Sequence, residues 1–314
     1  MRYEDFKRYI SENITRYLPE EQSDTEVIVL KQHINNGVLV DALGFSKQEK
    51  GTLIFNLESM FGAYENGEPL EKIMKEVVNV CVRFREQEDI YSLQRPGYED
   101  LKDQLYVCAR NAEMNQELLP RIPHEVKEDV ALMYRARIKL PDGKDGTMLV
   151  HHNHLKEWGI SEAELKEQAW NNMHLKYRPA LMDMEELMKR ILGFDGLSFG
   201  EFSGMMYVLS NPERHDGAAY IFDEEIMKEA GEILGTDYFV LPSSIHETFL
   251  VRKLEGVGFQ YDLEGMCELV RSMNQTEIFP EEILSDEVYQ YSRKNNHLTR
   301  VMVDEMKQDM LMTM

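Results

Sequence analysis

An α+β fold, with helices packed on short, mostly antiparallel sheets in two subdomains, is what this sequence predicts. Three observations carry that expectation. Stretches with apolar residues at helical spacing alternate with β-rich runs. Neighbouring β-rich runs are joined by short glycine-containing turns, as antiparallel hairpins require. The prolines Pro120 and Pro123 break the chain and set the expected boundary, with a helix, hairpin and helix unit over 1–120 and a larger α+β unit over 121–314.

Taken in order, Phe6, Tyr9, Ile10, Ile14, Tyr17 and Leu18 recur at helical spacing until Pro19, which predicts a first helix over Tyr3–Leu18. Glu26–Lys31 and Val38–Phe45 read as a hairpin around Asn36-Gly37, a pair that accepts positive φ. Ile54–Tyr64 fits strand and helix equally. After Pro69, the stripe Leu70, Ile73, Val77, Val80, Cys81 and Phe84 predicts a helix, and Tyr98–Asn115 reads as another.

In the second half, DVALMYRARIKL alternates as a strand, and PDGKDG turns it into a partner strand that includes His151, His152 and His154. Ser161 with Glu164 three residues on forms a capping box, so a helix follows with Leu165, Ala169 and Met173 inward. Met182, Met184 and Met188 are expected on one helix, where core filling is the default role for such thioethers. A strand at Met205–Leu209, a helix over DEEIMKEAGEIL stopped by Gly235, and a strand over DYFVLPSSIHETFLVRKL interrupted by Pro242 come next. Helical patterning returns at Tyr261–Met273 and around Glu281–Arg293.

With 35 Lys+Arg against 57 Asp+Glu the formal net charge is −22, a field that repels phosphate backbones and anionic lipid. Direct nucleic-acid or membrane binding is therefore not expected. No apolar window reaches the roughly 18 residues of a membrane helix. The start, MRYEDFKRYISENI, carries charge where a secretory signal needs apolar residues. The 3 cysteines lack CxxC spacing and read as reduced thiols. The expected location is the cytoplasm.

Four segments carry a resemblance: Leu241–Val251 (LPSSIHETFLV), the preceding SNPERHDGAAYIF, Leu284–Arg293 (LSDEVYQYSR) and Glu157–Asn172 (EWGISEAELKEQAWNN). In these the chain resembles a bacterial family catalogued as domain-of-unknown-function family 5688, over most of its length. The resemblance implies an α and β architecture and supplies no activity or catalytic residue.

Among motifs that carry chemistry, Ser243-Ser244-Ile245-His246-Glu247 combines hydroxyl, imidazole and carboxylate, the parts of a base-activated nucleophile. If that stretch is extended, Ser244 and His246 share a face while Glu247 points away, and GxSxG is missing, so a bend after Pro242 is the preferred reading. Ser243, Ser244, His246 and Glu247 stand as pocket candidates at a strand end. On a strand, His152 and His154 would offer two nitrogens to a metal but lack a third ligand; no metal site is expected there. Nucleotide fingerprints are missing too, since Gly256-Val257-Gly258 has no third glycine, and no cofactor is expected. The acidic pairs Glu224-Glu225 and Glu281-Glu282 read as helix starts.

The expected function is that of a non-catalytic interaction or ligand-binding protein, with a protein or small molecule as partner. The alternative is a small-molecule hydrolase or metal-assisted enzyme centred on Ser244 and His246. A polyanionic mimic of DNA stands third, because charges of both signs are mixed along the chain.

Overall fold

The computed structural model describes residues 1–47, 50–93, 96–139, 145–200, 203–253 and 262–301. It has the α+β architecture expected, with antiparallel sheets and helices packed on them. The chain divides into two compact units, 1–101 with 137–147, and 102–136 with 148–314. The division thus follows Leu101, and Pro120 lies inside the second unit in a 3-10 turn, Leu119–Arg121.

In the first unit, α1 (Tyr3–Asn13) runs into a 3-10 turn at Ile14–Tyr17, so the expected helix tightens over its last turn before Pro19. Strands β1 (Glu26–His33), β2 (Leu39–Lys47) and β3 (Lys50–Asn56) form a three-stranded antiparallel sheet. Asn36 and Gly37 take φ of 58° and 66° at the first turn, the two positive values that match the twist of paired strands. The ambiguous stretch from Ile54 is both elements in succession. Asn56 ends β3, and its side chain accepts the Ser59 N–H at 2.9 Å to start α2 (Leu57–Glu65). Then α3 (Leu70–Leu93) turns Ile73, Met74, Val77, Val78 and Cys81 inward against Phe6, Ile10, Leu43 and Phe45.

Asp41, on β2, is 5% exposed. Its carboxylate is held by Lys7 Nζ at 2.9 Å and Lys31 Nζ at 2.8 Å. Hydrogen bonding to Lys31 holds this carboxyl below the usual range, with Lys7 adding to it and burial opposing.

After the short α4 (Tyr98–Leu101) the second unit opens with β4 (Leu105–Asn111), where the sequence predicts more helix. All seven residues of β4 are buried. A strand covered on both faces has no polar side to alternate with, and its period of two disappears from the sequence. β6 (Val130–Lys139) lies between β4 and β5 (His124–Lys127), and β7 (Asp145–Leu149) pairs with β6 as the second expected hairpin. The residues between β6 and β7, most of PDGKDG, lie outside the described residues.

The histidine run departs from expectation. His151 ends an extended segment and His152–Trp158 is helix α5, closed by Gly159 at φ 69°. His154 Nδ1 accepts the His151 N–H at 3.1 Å, and its ring stacks on Trp158. His152 and His154, two apart on a helix, diverge instead of sharing a strand face. The capping box forms as predicted, with Ser161 N–H donating to Glu164 at 2.8 Å and Glu164 N–H to Ser161 Oγ at 3.2 Å. It starts α6 (Glu162–Leu175), which buries Leu165, Ala169 and Met173. From α6, Asn172 Nδ2 donates to Lys102 O at 2.7 Å and Leu105 O at 2.9 Å, fastening it beside β4.

The remaining strands form one antiparallel sheet, with β8 (Ala180–Asp183), β9 (Met206–Ser210), β10 (Tyr238–Pro242), β11 (Thr248–Arg252), β12 (Tyr289–Ser292) and β13 (His297–Arg300) in the order β13-β12-β10-β11-β9-β8. Met182 lies on β8, whereas Met184 and Met188 lie on α7 (Met184–Leu192). α8 (Glu224–Leu234) begins at the cap Asp223 and ends at Gly235 with φ 75°, as the sequence indicates. α9 (Leu263–Thr276) contributes Cys267 and Val270 to a core with Phe239, Leu241 and Val251.

The helix expected around Glu281–Arg293 is instead a 3-10 turn at Pro280–Glu282 followed by β12. Tyr289 and Tyr291 are buried and Gln290 and Ser292 half-buried, an alternation of only four residues that is too short to outweigh the longer helical pattern. Pro242 is tolerated at the end of β10 because the pairing with β12 stops at Val240, so no ladder bond needs its missing N–H. The Gly256-Val257-Gly258 pair lies outside the described residues, and among those described no helix is long and apolar enough to cross a membrane.

Asp41 yields a test in acid. Its folded pKa lies below the unfolded value of about 3.9, so its contribution is present above that value and disappears as pH falls through the lowered one. Urea unfolding of wild type and Asp41→Asn should therefore differ at neutral pH and draw together as pH falls below the unfolded value of about 3.9. Curves that stay parallel down to acid would refute the assignment.

Candidate functional site

Elements distant in sequence converge on Asp216. On β4, Tyr106 and Arg110 are four residues apart and so share a face. Arg110 Nη2 donates to Asp216 Oδ1 at 2.7 Å, and Tyr106 O–H donates to Oδ2 at 3.1 Å. The pair is sealed, with side-chain exposures of 6% for Arg110 and 0% for Asp216. Burial alone would raise the Asp216 carboxyl, but the Arg110 charge and a bond from His215 outweigh it and leave the acid far below the usual range. The same burial, reinforced by the Asp216 charge, pushes the Tyr106 hydroxyl up, so it remains a donor.

The loop from β9 delivers Asp216 in a fixed shape. Asn211 Oδ1 accepts the His215 N–H at 3.1 Å and its Nδ2 donates to His215 O at 2.7 Å, bracketing the turn. Arg214 and Asp216 take φ of 52° and 55°, an unfavourable region for most side chains that the surrounding bonds hold in place. The chain then enters the wholly buried 3-10 helix Gly217–Phe222. Gly217 is required here by contact: a Cβ would lie 2.6 Å from both His246 O and Ser210 Oγ. Its N–H donates to His246 O at 3.1 Å, and Ala218 N–H donates to Ile245 O at 3.2 Å.

Those carbonyls belong to the β10–β11 turn, which contains the residues singled out from sequence. Ser243 is half-buried at the strand end and Ser244 is buried. Ser244 to Glu247 form a bend, and the strand resumes only at Thr248, so the extended geometry considered for them does not occur. Ser244 Oγ accepts the backbone N–H of His246 at 3.0 Å, and Ser244 N–H donates to Glu247 O at 3.1 Å. The His246 ring faces elsewhere. Its Nδ1 accepts the Asp216 N–H at 3.1 Å, and Nε2 lies 3.4 Å from Glu282 Oε1. Glu247 pairs with Arg214 at 2.6 Å.

The turn therefore unites Ser244, His246 and Glu247 in space without linking hydroxyl to ring or ring to Glu247. What the ring does meet is His215, with centroids 5.2 Å apart. His215 Nδ1 lies 3.4 Å from Asp216 Oδ2. Among the described residues, His215, Asp216 and His246 are the group whose donor atoms, one from each, lie within 4.8 Å of one another. His152 and His154 do not join such a group; His152 lies 3.3 Å from Glu162 instead.

Sequence reasoning passed over His215, Asp216 and Arg110, and read Glu282 only as part of a helix start. The available signal was positional, since SNPERHDGAAYIF and LPSSIHETFLV, both carrying the family resemblance, are the two loops that meet here. A separate pocket of about 300 Å³ in this unit is lined by Lys127, Asp223, Met227, Tyr291, Asn296 and His297. Glu128 and Glu224 also line it, and Asp223 has structural work there: it caps α8 and holds His174 Nε2 at 2.7 Å.

The sequence profile of a family of unknown function (DUF5688) matches residues 3–293, and the chain belongs to that family. No curated protein and no solved structure matches it.

The buried pair can be tested by mutation. Arg110→Met leaves Asp216 charged and dehydrated and should cost about 3–5 kcal/mol in urea unfolding. The double variant Arg110→Met/Asp216→Leu, which removes both charges, should be more stable than the sum of the single losses implies. A cost under about 1 kcal/mol for Arg110→Met would contradict this account.

Proposed function

We propose that the chain is a non-catalytic binding protein of the bacterial cytoplasm, whose ligand site is the crevice where the loop after β9 meets the β10–β11 turn. The observation that carries this reading is the pair of partly exposed imidazoles, His215 and His246, held above a sealed Arg110–Asp216 ion pair. Rigid polar groups at a surface, braced from beneath by buried ones, are what a specific ligand requires. Polar groups here serve orientation: the Asn211 side chain fixes the backbone of His215, and the Asp216 backbone N–H fixes the ring of His246.

The expectation of a partner that is a protein or small molecule, not a nucleic acid or a membrane, rests on the net charge of −22. Cys108 is buried, and burial pushes its thiol up to about 11, which suits an unreactive reduced cysteine.

The hydrolase alternative centred on Ser244 and His246 has less support. Base activation needs the hydroxyl within hydrogen-bond reach of a ring nitrogen, and Ser244 Oγ is instead engaged with the His246 backbone N–H.

Two measurements test the proposal together. p-Nitrophenyl acetate and p-nitrophenyl phosphate should be turned over no faster by wild type than by Ser244→Ala or His246→Ala. In thermal unfolding with a panel of small carboxylates, phosphates and divalent metal salts, at least one compound should raise the wild-type Tm and leave His246→Ala unmoved. Saturable turnover abolished by either substitution would refute non-catalytic binding, and a panel with no His246-dependent shift would refute the site.

A further inference from the structure

We propose that His215, Asp216 and His246 bind a divalent first-row transition-metal ion of the Zn²⁺, Co²⁺ or Ni²⁺ type. This deepens the reading of the crevice as a binding site and rests on it.

Two imidazoles and one carboxylate make a donor set suited to such an ion, whereas Mg²⁺ and Ca²⁺ prefer all-oxygen surroundings. The donor atoms lie within 4.8 Å of one another. Ligands at about 2.0–2.2 Å from a common ion stand roughly 3.3–3.6 Å apart in a tetrahedron, so the set must contract by about an ångström. The His215 side chain, 53% exposed, is the member able to swing. Asp216 and His246 are the fixed members.

The groups behind the ligands are already in place. Arg110 and Tyr106 orient the carboxylate from inside the fold. His246 Nδ1 accepts a backbone N–H, so in the neutral ring the proton sits on Nε2, 3.4 Å from Glu282. That is the tautomer an imidazole needs to ligate through Nδ1, and a carboxylate behind the far nitrogen raises its basicity. The ion takes the Nδ1 lone pair from the Asp216 amide, exchanging a neutral hydrogen bond for a metal–nitrogen bond.

Around the site the carboxylates of Asp216, Glu247 and Glu282 are matched by the guanidiniums of Arg110, Arg214 and, acting on Asp216 through its charge, Arg135, so the case for a cation rests on the donor set. Three protein ligands leave at least one coordination position open to water or to a ligand's own donor.

The experiment is titration of the chelator-treated full chain with Co²⁺, followed by visible absorption and isothermal calorimetry. One ion per chain is expected, with ligand-field bands and with Zn²⁺ competing, while Mg²⁺ in large excess does not. His215→Ala and His246→Ala should each weaken Co²⁺ by more than ~100-fold, beyond what loss of a group behind a ligand costs. Glu282→Gln should weaken it by about 10–100-fold, and His152→Ala should leave it unchanged.

Circular dichroism confirms the fold of each variant, and the exposed His215 is the substitution least able to disturb it. Absence of one-to-one binding, or binding indifferent to His215→Ala in a folded protein, overturns the metal site. If Co²⁺ fails while a carboxylate or phosphate still shifts Tm through His246, the metal proposal is lost and the binding reading stands. If neither binds, both are lost.

Discussion

Dehydrating a carboxylate costs several kcal/mol, and Asp216, with no exposed side-chain surface, is stable in the fold only because Arg110 and Tyr106 meet it from β4. That requirement has consequences well beyond one ion pair. It forces the loop after β9 against the first strand of the unit, in a backbone conformation most side chains resist, and it fixes where the next residues can go. Gly217 then passes so close to the β10–β11 turn that a methyl group would collide with a carbonyl. The two sheets of this unit are thus joined through a polar contact on one side and a glycine on the other.

The same constraint explains why two histidines sit together. His215 follows from the loop's shape, because both its backbone N–H and its carbonyl are bound by Asn211, and only its ring is left to project outward. His246 follows from the turn, whose ring nitrogen accepts the amide of the very aspartate that the arginine holds. Neither imidazole is positioned by a partner side chain alone. A side-chain amide on the backbone of one and a backbone amide on the ring of the other keep the two rings adjacent without strong attraction between them.

Local patterns in the sequence revealed elements that hold themselves together locally: the Ser161–Glu164 box, the Asn36-Gly37 turn, the Gly235 stop, and the inward set Leu165, Ala169 and Met173. Hidden were the elements decided by distant packing. β4 is covered on both faces and so loses its alternation; β12 carries it for only four residues; and His152 and His154 belong to a helix whose start depends on His151 and His154 bonding each other. The site was half legible for the same reason. Ser244, His246 and Glu247 stood out because chemistry-bearing types were adjacent, but adjacency placed them in a tight turn where the backbone takes the hydroxyl. The partners that give His246 its orientation lie 30 and 36 residues away in sequence, at Asp216 and Glu282. No spacing rule spans such distances.

Asp41 in the first unit shows what a buried carboxylate looks like when its role is purely structural. Each of its oxygens is met by its own lysine, at 2.8 and 2.9 Å, and the attraction is spent between β2 and its neighbours α1 and β1. Asp216 differs in chemistry more than in burial. One oxygen is bound tightly by a guanidinium, while the other has only the longer contacts from Tyr106 at 3.1 Å and His215 at 3.4 Å. An oxygen so held retains lone-pair density on the side where the imidazoles stand. A lysine in place of His215 would set a hydrogen-bond donor against that oxygen and close the site; an imidazole nitrogen can instead share a ligand with it.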